Sequence, residues 1–175
     1  MSTSFGLAAT AIIAGLLVVA GQQEPSDRQR VLAAAREVML AAGNCALITL
    51  DADGVPQARA MDPFPPEADL SVWLATNPGT RKVAQMRRDE RVTLYYFDRE
   101  GGGYVTLVGT VRLVSDPAEK ARLWKPEWSA FYSAANRGDD YLLIEFRPDR
   151  LEIVSLAHGI ASDPQAWKPE IVDLR

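Results

Sequence analysis

One cysteine and one histidine in 175 residues leave this chain short of the side chains that most metal and thiol chemistry requires. Cys45 cannot close an internal disulfide and supplies neither a CxxC pair nor a multi-thiolate zinc site. It reads as a small apolar side chain starting a strand. His158 alone excludes a histidine-rich metal centre, and a serine-histidine-acid triad would rest entirely on it. Positive charge is also scarce. With 19 Lys and Arg against 23 Asp and Glu, the net charge is -4 at pH 7, which argues against a broad nucleic-acid surface and leaves room only for local anion sites. What remains, 47% hydrophobic and 24% charged, is the composition of a globular chain with one domain as the default.

The long uncharged run comes first. Phe5 to Gly21 reads FGLAATAIIAGLLVVAG and meets a polar break at Gln22-Gln23-Glu24-Pro25. A spanning helix needs about 20 apolar residues, whereas a secretory h-region is shorter and ends in small residues. Val18-Val19-Ala20 suits cleavage after Ala20, although Met1 to Ser4 brings no Lys or Arg. Residues 1–20 therefore read as a signal peptide or N-terminal anchor, and 26–175 as a single domain. The expected location is periplasmic or extracytoplasmic, with the cytoplasm as the alternative. Membrane contact is expected only if the segment stays uncleaved.

Val31, Leu32, Ala35, Val38 and Met39 recur at helical spacing, so a helix is expected over 27–42, closed by Gly43-Asn44. The run Cys45 to Leu50, the turn Asp51-Ala52-Asp53-Gly54 and the strand Pro56 to Met61 make a hairpin. Leu70 to Thr76 alternates as a half-buried strand, and Thr80 opens a helix through Met86. Arg91 to Asp98 and Tyr104 to Ser115 form a second hairpin across Gly101-Gly102-Gly103. Pro117 starts a short helix to Leu123. Tyr141 to Phe146 and Leu151 to Val154 are expected as a last strand pair turning at Pro148-Asp149. The fold class is thus mainly β (α+β): a six- to seven-stranded antiparallel, closed or partly closed barrel with short flanking helices.

The glycine triplet lies between strands without a following helix, so it is neither a Walker loop nor a dinucleotide fingerprint. Thr76-Asn77-Pro78-Gly79-Thr80-Arg81-Lys82 differs. It runs from a strand into a helix and gathers hydroxyls, backbone N–H groups and two cations at a helix N-terminus, the parts of an anion site. A solvated helix start is the competing reading of the same residues.

ATNPGTRK (Ala75 to Lys82), followed by VAQMRRDERVTLYYFD and YVTLVGTVRLVSD, resembles the pyridoxamine 5'-phosphate oxidase-like family of FMN-binding split β-barrels, in its general stress protein branch. The likeness extends upstream through ITLDADGVPQARAMD and covers Ala46 to Asp116, with a looser match to Trp124 and around 141–154. It implies FMN as cofactor, a homodimer sharing each flavin, and a redox role on a small molecule. Arg81 and Lys82 would hold the FMN phosphate with Thr80 assisting. Arg59 would reach the phosphate or the pyrimidine edge, with Ala60 and Met61 lining the isoalloxazine. Ala75 and Thr76 would end a strand beside the ring, and Tyr104 stands where the oxidase has a polar flavin contact. By their own chemistry, Arg59 also reads as a surface strand cation and Met61 as a core side chain.

WKPEIVDLR lacks the oxidase's C-terminal Trp and Arg-x-Leu substrate motif, so true pyridoxamine phosphate oxidase activity is not expected. A flavin performs the redox chemistry itself, and no dedicated catalytic residue is required. The alternative is a non-catalytic, stress-related protein holding FMN or haem. Trp124, Trp128, Phe131 and Tyr132 read as core or dimer packing. His158 reads as a loop residue, and Trp167 as a residue that could close over a partner's flavin.

Overall fold

The computed structural model describes residues 27–133, 139–161 and 163–175. The expected signal segment lies outside these residues. Helix α1 (Asp27–Ala42) ends where Gly43 takes φ 69°, a left-handed conformation that favours glycine. Strands β1 (Cys45–Leu50) and β2 (Pro56–Met61) follow, and the Asp51 carboxylate fixes their turn by accepting the N–H groups of Asp53 and Val55. Then come β3 (Val72–Thr76), α2 (Arg81–Arg88), β4 (Arg91–Asp98), β5 (Gly103–Val114), α3 (Pro117–Arg122), a 3-10 turn at Pro126–Ala130, β6 (Leu142–Ser155) and β7 (Glu170–Asp173).

All pairings are antiparallel, in the order β2-β1-β4-β5-β6-β3, with β7 on the part of β6 that β3 leaves uncovered. The two outer strands approach each other where Phe64, just past β2, donates its N–H to the Trp73 carbonyl of β3 at 2.8 Å. Inside lies the main core. Val31, Ala35, Val38 and Met39 of α1 cover Leu47, Leu94, Leu107, Leu151 and Ile153 of the sheet. A second cluster of Trp73, Ala75, Trp128, Tyr141 and Leu143 fills the other side of β3 and β6.

Three expectations change. The two last strands are one, because Pro148-Asp149 forms a bulge and not a turn: Val108 pairs Arg150 and Gly109 pairs Pro148, leaving Asp149 as the extra residue. Proline, which has no N–H to give the ladder, is tolerated at such a position. Glycine is needed opposite, since a Cβ at Gly109 would press into the Arg147 carbonyl. Second, Glu170–Asp173 is a strand, and the bulge helps seat it by offering the Asp149 carbonyl to the Leu174 N–H at 2.8 Å. Third, β3 begins at Val72, because Leu70 has φ 65° within a turn in which Glu67 and Ser71 are bonded.

Candidate functional site

Where β3 gives way to α2, the chain folds hydroxyls and cations onto each other. Asn77 turns its side chain onto the Gly79 N–H at 2.8 Å, which tightens the Asn77-Pro78-Gly79 turn. Thr80 occupies the N-cap position of α2, yet its hydroxyl makes no bond to the helix N–H groups. It donates instead to the Asn77 carbonyl at 2.9 Å and lies 3.3 Å from the Thr76 hydroxyl. Thr76 Oγ1 in turn accepts from Lys82 Nζ at 2.9 Å. The expected side-chain cap is therefore absent, because the turn captures that hydroxyl.

Arg59 comes to the same place from β2. It pairs with Leu47, so its side chain projects from the core-facing side of the sheet. The guanidinium donates to Thr49 Oγ1 at 2.7 Å, Gln85 Oε1 at 3.0 Å and the Leu47 carbonyl at 3.2 Å. Thr49 and Gln85, both buried, are themselves joined at 2.6 Å. These two side chains make Arg59 an anchored cation and not the surface cation its sequence also allowed. Sequence reasoning passed over them, although Gln85 stands beside the inward-facing Val83 and Met86 of α2, a polar residue at a core position that needs a partner.

The electrostatics mark the cluster as incomplete. Desolvation first, and then the Arg59 charge, lower the Lys82 pKa. Desolvation and then Arg81 do the same to Arg59. No carboxylate offsets either shift, and among the described residues Arg81 has no ion pair. Three cations within electrostatic reach, partly out of water and without a counter-charge, are suited to a multiply charged anion.

The other expected site residues do not all converge there. Thr76 belongs to the cluster. Ala75 is buried in the second hydrophobic cluster, and Met61 packs against the main core. Ala60 is exposed on the outer face of the sheet, where it shares a lateral row with Ala46 and Tyr95. Tyr104 stacks on Tyr95 with ring centroids 5.8 Å apart, on that same outer face. Within one chain Tyr104 is remote from the cations: it pairs Val154 near one end of β6, whereas Thr76 pairs Leu142 at the other. The outer face across β2, β1, β4 and β5 presents uncharged Ala60, Ala46, Ile48, Thr93, Tyr95, Phe97, Tyr104 and Thr106 over its middle, with Arg91 of β4 and Arg112 of β5 towards one end.

His158 is held, not free. Its Nδ1 lies 2.7 Å from Ser155 Oγ and its Nε2 2.9 Å from Glu37 Oε2. Ser155 is only 1% exposed, so this serine-histidine-glutamate chain ties α1 to the end of β6 and offers no accessible nucleophile. Trp124, Trp128 and Tyr132 pack around Tyr141 within the chain, while Phe131 and Trp167 are exposed.

No curated protein matches the chain. Among solved structures, a protein from Clostridium acetobutylicum related to general stress protein 26 of Bacillus subtilis superposes with a TM-score of 0.69 at 21% identity, covering 83% of this chain and 95% of that one. General stress protein 26 of Bacillus anthracis gives 0.65 at 16% identity, over 82% and 98%. A pyridoxamine 5'-phosphate oxidase-related, FMN-binding protein of Nostoc punctiforme gives 0.57 at 13%, over 83% and 93%. These likenesses establish the split-barrel fold. The family model for pyridoxamine 5'-phosphate oxidase matches residues 31–155, from the first helix through the last residue of β6 and across the whole cation cluster; the chain belongs to that family.

Proposed function

We propose that this protein is an FMN-binding flavoprotein that works as a homodimer and reduces or oxidises a small molecule. The observation that carries the reading is the uncompensated cluster of Arg59, Arg81 and Lys82. FMN ends in a phosphate dianion, and the chemistry of the cluster fits that group. Lys82 and Arg81 supply the charge, Thr80 and Thr76 the hydroxyls, and Thr49 with Gln85 hold Arg59 in position. When bound, the flavin supplies the redox chemistry, and the chain's part is to bind it, orient it and shield it from water. A relative described as FMN-binding, of the same fold, supports the cofactor.

The dimer rests on the uncharged middle of the outer face, which carries exposed Phe97 beside half-buried Tyr95 and Tyr104. Charged residues are depleted and aromatics enriched at interface cores. Export remains part of the proposal, on the strength of the uncharged segment before Gln22. Intact-mass analysis starting near Gly21 supports it, and a soluble cytoplasmic chain starting at Met1 or Ser2 defeats it.

Calorimetric titration of the purified protein with FMN and with riboflavin tests the central claim. FMN should bind and show flavin absorption bands with the protein, and riboflavin, lacking the phosphate, should bind about ten- to a hundredfold more weakly. Equal affinity for the two removes the phosphate assignment. Tight FMN binding without turnover by any donor or acceptor favours the non-catalytic alternative. Light scattering should give twice the chain mass with and without FMN.

A further inference from the structure

Arg91, Arg112, Arg122, Arg147 and Arg150 each meet an Asp or Glu carboxylate. Arg59 is given neutral acceptors only: the Gln85 side-chain oxygen, the Thr49 hydroxyl and the Leu47 carbonyl. We propose that Gln85 is a positioning residue of the cation cluster and sets its preference for phosphate-bearing ligands, a role that rests on the phosphate reading above. It fixes the Arg59 guanidinium as an acidic side chain would, but, being neutral, leaves that charge unspent.

The geometry is that of a rigid holder. Gln85 is 4% exposed and Thr49 1%, so neither side chain exchanges its partners with water. A guanidinium can only donate, and the Gln85 amide must therefore turn its oxygen towards Arg59. Thr49 locks the pair, because its hydroxyl accepts from Arg59 Nη1 at 2.7 Å and donates to Gln85 Oε1 at 2.6 Å. Gln85 Oε1 also accepts from Nη2 at 3.0 Å. Both terminal nitrogens of Arg59 are thus held, while Nε donates to no acceptor among the described residues. The Nε edge of the planar group is left for an oxyanion, which such an edge grips well.

Glutamate has the shape of glutamine and could take the same two donors. Its charge would cancel that of Arg59, as Glu145 does for Arg112 and Arg147. Hydrogen bonds between ionised partners are the stronger ones, so the amide is the weaker choice for the fold and the better one for an incoming anion.

Calorimetric titration of variants with FMN and with riboflavin tests the role. Gln85→Met keeps the volume and removes the acceptor. It should weaken FMN about tenfold, leave riboflavin unchanged, and have no further effect in a protein already carrying Arg59→Ala. Gln85→Glu should weaken FMN about ten- to a hundredfold and leave riboflavin unchanged, while the melting temperature holds or rises. An equal effect of Gln85→Met with and without Arg59 overturns the proposal, because Gln85 would then serve the fold and not act through Arg59. So does a Gln85→Glu protein that keeps the wild-type preference for FMN or fails to fold. Should Gln85→Met not fold, Gln85→Glu decides alone. Equal affinity of the wild type for FMN and riboflavin removes the phosphate reading itself, and this role with it; a wild-type preference that the variants leave intact removes the role alone.

Discussion

Around Glu145 the fold sets one carboxylate between two guanidinium groups; around Arg59 it sets three cations with no carboxylate. Glu145, 7% exposed, accepts from Arg112 Nε at 2.8 Å and from Arg147 Nε and Nη2 at 3.0 and 2.8 Å. Burial pushes its pKa up, but the bonds from Arg147 and Arg112 outweigh burial and hold it below the usual value. At the cations both desolvation and the neighbouring charge push the same way, against ionisation. The first arrangement is complete within the chain and serves the fold. The second costs the fold something that an anion from outside would relieve, which is why the cluster carries the proposed phosphate site.

Reversing a charge in the open cluster should have the largest effect. Arg81→Glu should weaken FMN binding by about a hundredfold or more and leave the melting temperature unchanged or slightly raised, since it relieves repulsion; calorimetry and thermal melts read both. Unfolding of the variant would mean that the cluster is structural after all. Glu145→Gln should do the opposite, leaving FMN affinity alone and costing about 1.5 kcal/mol of stability, or roughly 3–6 °C in Tm. The two arginines stay largely in water, which keeps that loss moderate.

The contrast extends to pH. Because the folded pKa of Glu145 is depressed, its contribution is complete above the unfolded value of 4.5 and is lost as pH falls through the lower folded value. The stability gap between wild type and Glu145→Gln should therefore shrink below about pH 4.5 in denaturant melts. Lys82 behaves inversely. Its lowered pKa means that a bound phosphate restores the proton, so FMN binding should take up protons at alkaline pH and weaken as pH rises towards 10.5. Titrations at pH 9 in buffers of different ionisation heat measure the uptake. The smallest effect belongs to Tyr104→Phe, with less than about a threefold change in FMN affinity, because Tyr104 lies apart from its own chain's cations. A larger change would mean that the partner subunit brings its outer face onto the flavin.

Much of the architecture was legible in local chemistry. The helix over 27–42, the β1–β2 hairpin with Asp51 and Gly54 at its turn, and the RVTLYYFD and YVTLVGTVRLV pair follow from periodicity and turn residues. The strand–turn–helix of Thr76 to Lys82 was readable as a cluster of hydroxyls and cations, because these are neighbours in sequence. Other features were not readable. Pro148-Asp149 has the composition of a turn, and only the closeness of Gly109 on the neighbouring strand turns it into a bulge within one long strand. Glu170–Asp173 is too short to declare itself without the edge of β6 to pair with.

The sequence by itself determined most of the elements, their antiparallel pairing and the two adjacent cations of α2, since each depends on residues a few positions apart. Tertiary structure decided which of those charges are satisfied. Arg59, Thr49 and Gln85 lie on three separate elements and meet only when β2, β1 and α2 pack. Pairing energy and desolvation depend on distance and burial in space, and neither is written along the chain.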